Sequence, residues 1–166
     1  MANEPYTITN QKLYFAKQAL TDWQALEKAL HSNKILLKAY QERVIFHLYS
    51  SLWACYNEIA TYYRFPLMIQ SYALDIFLSK EFLEQYPSPE LNELAFLLNT
   101  PNSVVASVNK AWSALFTPVT QLKQQADVNR IQVNNMDTTL NVELLSVYLQ
   151  EITELILHFR SGLTEY

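Results

Sequence analysis

A single glycine, Gly162, stands in 166 residues. Hairpins and tight turns draw on residues that accept positive φ, and phosphate-cradling loops need several glycines. The scarcity argues against a β-rich or α/β fold, a P-loop and a dinucleotide fingerprint. One cysteine, Cys55, cannot form an internal disulfide, which fits a reducing cytoplasm. Positive charge is also short: 12 Lys and Arg face 16 Asp and Glu, for a net charge of −4. A binder of duplex nucleic acid carries a basic footprint, so nucleic acid is not an expected partner. No apolar run approaches the roughly 20 residues of a membrane span. The opening MANEPYTITNQK lacks a basic segment followed by an apolar one, so neither a signal peptide nor a membrane role is expected.

Half of the residues are hydrophobic and 13% are aromatic, enough for one domain with a real core. The chain reads as one all-α domain over 1–166, a helical bundle of about five to seven helices. No repeat or internal boundary interrupts it. The helix expected over 34–64 is its centre. Between Tyr49 and Tyr63 that stretch holds five Tyr and Trp residues, and from Gln41 to Pro66 it holds Cys55, His47 and no lysine. At 100° per residue, Val44, Ile45, Leu48, Leu52, Cys55, Ile59 and Tyr63 share one side. Phe46, Tyr49, Trp53, Tyr56 and Ala60 cover the next sector. Both sectors are expected in the core, with Leu52, Ile59 and Leu149 as sensitive positions.

Around this centre the punctuation is legible. Pro5 belongs to a short lead, Thr7 or Thr9 is a cap, and Leu13, Ala16, Leu20, Trp23 and Leu26 form the stripe of a first helix over 10–31. Ser32-Asn33 is a break, and Phe65-Pro66 stops the central helix. A short helix is expected within 71–78, and Ser79 caps the next. Ser88-Pro89-Glu90 is the clearest start signal. Pro101 ends that helix and Asn102 or Ser103 begins another, which Pro118 interrupts. The polar stretch 121–139 reads as a loop. Asn141 caps the last helix, and Gly162 suits a left-handed stop near its end.

Chemistry-bearing residues gather on the third sector of the central helix. Arg43 and His47 are four apart, and Glu58 lies three turns further along the same face. Ser50, Ser51 and Asn57 complete a polar seam. Either it is an interhelical hydrogen-bond network, or Arg43, His47 and Glu58 form a catalytic or anion-binding site, since a buried His can be tuned near neutral pH. Tyr49, Trp53, Tyr62 and Asn57 are the candidate binding residues, because Tyr and Trp suit surfaces with an apolar body and a polar edge. No metal or cofactor is expected. Carboxylate-bridged bundles need Glu-x-x-His pairs, which are absent, and the Glu154 and His158 pair has no third ligand. Cys55 falls on the core side, where thiols are inert packing.

Several blocks also carry a resemblance: Thr9-Asn10-Gln11-Lys12-Leu13-Tyr14-Phe15-Ala16, Phe46-His47-Leu48-Tyr49, Glu58-Ile59-Ala60, Tyr63-Arg64-Phe65-Pro66, Ser88-Pro89-Glu90-Leu91 and Phe159-Arg160-Ser161-Gly162-Leu163. In these the chain resembles a family of small bacterial all-helical proteins, a domain of unknown function, over nearly its whole length. The resemblance implies a bacterial cytosolic protein and a shared fold, with no activity to carry over. Any shared site would fall at Asn10-Gln11-Lys12, His47 and Glu58. A looser likeness is to helical ribonuclease bundles, in which four to six residues separate an Arg from a His. Here three residues lie between Arg43 and His47, and this spacing and the acidic charge argue against that activity. The expectation is a cytoplasmic, non-enzymatic interaction or adaptor protein with a protein partner or a homodimeric state. The alternative is a small-molecule-binding or hydrolytic domain built on the polar seam.

Overall fold

A computed structural model describes residues 4–29, 33–66, 73–116 and 140–163, with nothing to say of the Glu4 side chain. Within them seven helices occur: α1 (Glu4–Glu27), α2 (Lys34–Tyr62), α3 (Leu74–Phe77), α4 (Lys80–Gln85), α5 (Pro89–Asn99), α6 (Val104–Leu115) and α7 (Val142–Leu163). The all-α bundle is as expected. The 121–139 loop and the interruption at Pro118 lie outside the described residues.

α1 and α2 form an antiparallel pair, with Asp22 opposite Arg43 and Phe15 opposite His47. α7 packs against both, and α5 and α6 also pack against α2. α2 therefore has neighbours around most of its circumference. From Val44 to Ala60 only Phe46 is exposed, and Leu48, Leu52, Tyr56 and Ile59 have no accessible surface. Of the ring sector, Tyr49, Tyr56 and Ala60 are core, whereas Trp53 is half-buried and Phe46 is 44% exposed. Leu149 is half-buried, so of the three sensitive positions only Leu52 and Ile59 are fully enclosed.

Helix starts follow side-chain caps. Asn33 Oδ1 accepts the Ile35 N–H at 2.9 Å, Ser79 Oγ the Phe82 N–H, Ser88 Oγ the Leu91 N–H, Ser103 Oγ the Ala106 N–H, and Asn141 Oδ1 the Leu144 N–H. Each satisfies an amide that helical geometry leaves without a partner. The start of α1 corrects an expectation. The helix begins at Glu4, before Thr7 and Thr9, with Pro5 in its first turn where a missing N–H costs nothing. Thr9 is internal and returns its hydroxyl to the Pro5 carbonyl at 3.3 Å.

Two helix ends run against simple expectation. Gly162 is helical, and no described glycine has positive φ, so it is not a left-handed stop. A β-carbon there would stand 3.4 Å from Glu90 Oε1, an ordinary contact with the α5 side chain. Left-handed φ occurs instead at Arg64, 58° at the end of α2, and at Asn102, 64° between α5 and α6. The Phe65 N–H reaches Ala60 O at 2.8 Å and the Arg64 N–H reaches Thr61 O at 3.1 Å, which is a Schellman closure. A side chain in this conformation costs about 1 kcal/mol that glycine does not. Arg64→Gly should accordingly raise the unfolding free energy by up to ~1 kcal/mol in urea titration. A loss of stability would mean that the Arg64 side chain contributes more than its backbone costs.

Candidate functional site

The polar seam of α2 divides among several partners. Arg43 lies on the surface, 3.2 Å from Asp22 of α1 and over the Tyr40 ring. Glu58 is buried, and Arg160 of α7 grips it with two parallel bonds: Nη2 to Oε1 at 2.7 Å and Nε to Oε2 at 3.0 Å. Arg160 Nη1 then donates to Asn10 Oδ1 of α1 at 2.9 Å, and the guanidinium lies 4.9 Å from the Tyr6 ring centre. This paired-bond geometry is the strong form of the ion pair. The hydrogen bonding of Arg160 to the Glu58 carboxylate is the largest cause of an Arg160 pKa raised above its ordinary value. Ser51 is buried and bonded to the Leu48 carbonyl.

His47 packs among aromatic rings. Its ring is 5.4 Å from Phe15 and 5.2 Å from Phe46, centre to centre. Its Nδ1 is buried without a hydrogen-bond partner among the described residues. Burial, then the charges of Lys12 and Arg43, hold its pKa below the ordinary value. A neutral ring in the fold therefore meets a ring of pKa about 6.5 in the unfolded chain. The unfolded state binds more protons in the window between the two values. Stability from this group is thus complete above about pH 6.5 and falls as pH drops toward the depressed value. Urea midpoints measured from about pH 7.5 to about pH 5 should fall less steeply for His47→Phe than for the parent chain. Equal slopes would show that this imidazole does not contribute.

A second polar group joins the end of α2 to the start of α5. Tyr63 donates its hydroxyl to Glu90 Oε2 at 2.9 Å, and Ser88 donates to the same oxygen at 2.8 Å. Burial, then the hydrogen bond with Glu90, pushes the Tyr63 phenol up to about 12. Cys55 is buried in the core, and burial pushes its thiol up, the opposite of what a nucleophile needs. His158 pairs with Glu93 of α5 at 3.3 Å, while Glu154 accepts from Gln150. Among the described residues no group of three metal-ligating side chains occurs, and no helix is long and apolar enough to cross a membrane.

The binding candidates are placed differently from the catalytic ones. Tyr49, Trp53 and Asn57 line one groove of about 470 Å³ between α1, α2 and α6. Its other walls are Ile8 and Lys12 of α1, Phe46, Ser50 and Ala54 of α2, and Trp112 of α6. Phe46, Ser50, Trp53 and Asn57 follow the three- and four-residue steps of one helical face, so they make a continuous strip. Tyr49 and Trp112 stack in parallel, 4.6 Å apart and 4° from coplanar, while Phe46 and Phe116 tilt against Trp112. The Leu74 N–H donates to the Tyr49 hydroxyl at 3.0 Å, which fixes that ring. Tyr62 lies outside the groove, 39% exposed and edge-on to Tyr63.

Arg43, His47 and Glu58 are thus not among the groove's walls, and the first and last are held by partners from different helices. Sequence reasoning did not select Ile8 and Trp112 as site residues, nor Arg160 as the partner of Glu58, whereas the resemblance had already put Lys12 and Asn10 at any shared site. Helical periodicity orients side chains within one helix and does not say which neighbour each will meet. Four of the resemblance blocks supply Asn10, Glu58, Glu90 and Arg160, and that was the available signal. The whole chain, residues 1–166, matches a family described as a family of unknown function (DUF6586). No curated protein and no solved structure matches it.

Proposed function

The chain belongs to that family of unknown function, and from the groove between α1, α2 and α6 we propose a non-enzymatic binding domain that takes up the apolar part of a small ligand. The observation that carries this reading is the aromatic wall itself. Phe46, Tyr49, Trp53 and Trp112 line a concave surface that contains few polar groups, the usual make-up of a small-molecule site. The charges that would serve hydrolysis are engaged elsewhere: Glu58 is closed by Arg160, and Arg43 pairs with Asp22. The reading keeps the expected bacterial cytosol as its setting, since buried Cys55 needs no oxidising compartment.

The three tryptophans provide the test. Trp23 has no accessible surface, whereas Trp53 and Trp112 line the groove. With 5-fluorotryptophan incorporated, titration with the flat neutral probe 2-naphthamide should shift the fluorine signals of Trp53 and Trp112 and leave Trp23 unmoved. Ser50→Phe, which fills the groove from α2, should abolish both shifts while the thermal melt stays cooperative. Absence of shifts, or equal shifts at all three positions, would remove the groove as a ligand site. Sedimentation across protein concentrations tests the competing homodimer, in which the same rings would be covered by a second copy.

A further inference from the structure

Resting on the groove just described, we propose that its ligand is a planar aromatic molecule carrying one negative charge, with that charge set against Lys12. Lys12 is the one charged residue among the groove's walls, and no Asp or Glu lines it. It is half-buried and makes no ion pair among the described residues. Lys38 and Lys80, by contrast, each have a carboxylate 3.7 Å away, at Glu42 and Glu84. An unneutralised ammonium at the edge of an apolar groove, in a chain of net charge −4, favours an anion.

The rest of the lining sets the shape of the ligand. Ser50 spends its hydroxyl on the Phe46 carbonyl at 2.7 Å, so it offers little to a ligand. The Asn57 side chain has no hydrogen-bond partner among the described residues, and it supplies a second polar contact. Between these two groups the walls are rings already fixed by one another: Trp112 on Tyr49, and Trp53 on Tyr56 at 5.3 Å and 14°. Offset and edge-on packing against such rings favours a flat aromatic body. Binding needs no rearrangement of these walls, because the stacks already exist.

The experiment compares 2-naphthoate with 2-naphthamide, which share a ring and differ in charge, by calorimetry on the full chain at low salt. The parent protein should bind 2-naphthoate roughly fivefold more tightly, as a partly exposed ion pair allows. Lys12→Met should remove this preference and keep the affinity for 2-naphthamide, and Lys12→Arg should retain the preference. Unchanged melting of both variants separates the effect from unfolding. Equal affinities in the parent chain, or a preference that survives in Lys12→Met, overturn the charge assignment while leaving the groove a binding site. Failure of both probes to bind overturns the groove as well.

Discussion

Glu58→Ala lowers the unfolding free energy by roughly 3 kcal/mol, the lower end of what breaking a buried ion pair costs. The side chain of Glu58 is 2% exposed and that of Arg160 17%. Removing the carboxylate leaves a guanidinium that Asn10 and Tyr6 cannot neutralise. The partial exposure of Arg160 admits some water, which holds the loss near the lower end. The pair itself is a different quantity from its breakage, because desolvating both charges offsets much of their attraction. Glu58→Leu combined with Arg160→Met should therefore recover most of what either single change loses. Urea unfolding of the four proteins in a double-mutant cycle measures this coupling. A loss below about 1 kcal/mol for Glu58→Ala would place the pair with ordinary surface bridges.

Leu52→Asp abolishes folding. Leu52 has no accessible surface and stands midway along α2 among residues of the main core. Truncating a buried leucine to alanine already costs about 2–5 kcal/mol. Aspartate adds an unpaired charge, or a protonated acid without a partner, to a whole stability of about 5–15 kcal/mol. Circular dichroism should show no cooperative melt for Leu52→Asp, whereas Leu52→Ala should melt cooperatively at a lower temperature. A cooperative, soluble Leu52→Asp chain would contradict the enclosure of α2 by α1, α6 and α7.

The local parts of this architecture were legible in the residues. Ser79, Ser88, Ser103 and Asn141 each cap where the chain reads as a helix start, because capping is decided within three residues. The crowded circumference of α2 was legible too, since a helix apolar on two sectors must have neighbours on both. Two further features were not. Arg160 stands in the last turn of α7, yet its partner Glu58 lies 102 positions away. Phe46 reads as core from its periodicity, but periodicity does not place the gap between α1 and α6 in which it stands. The seam was one face of one helix. Packing divides it, sending Glu58 toward α7, leaving Arg43 beside α1, and placing Asn57 in the groove.

The bond from Arg160 to Asn10 joins positions 150 residues apart. Contacts of such separation close only after the intervening chain is largely ordered, since loop closure must be offset before they contribute. The α1–α2 pair is local and can assemble first, with α7 docking onto it afterwards. The clamp then contributes little to the folding barrier and much to the unfolding one, so Glu58→Ala should leave the refolding rate nearly unchanged and accelerate unfolding. In that sense Arg160 acts as a latch on the lifetime of the native state.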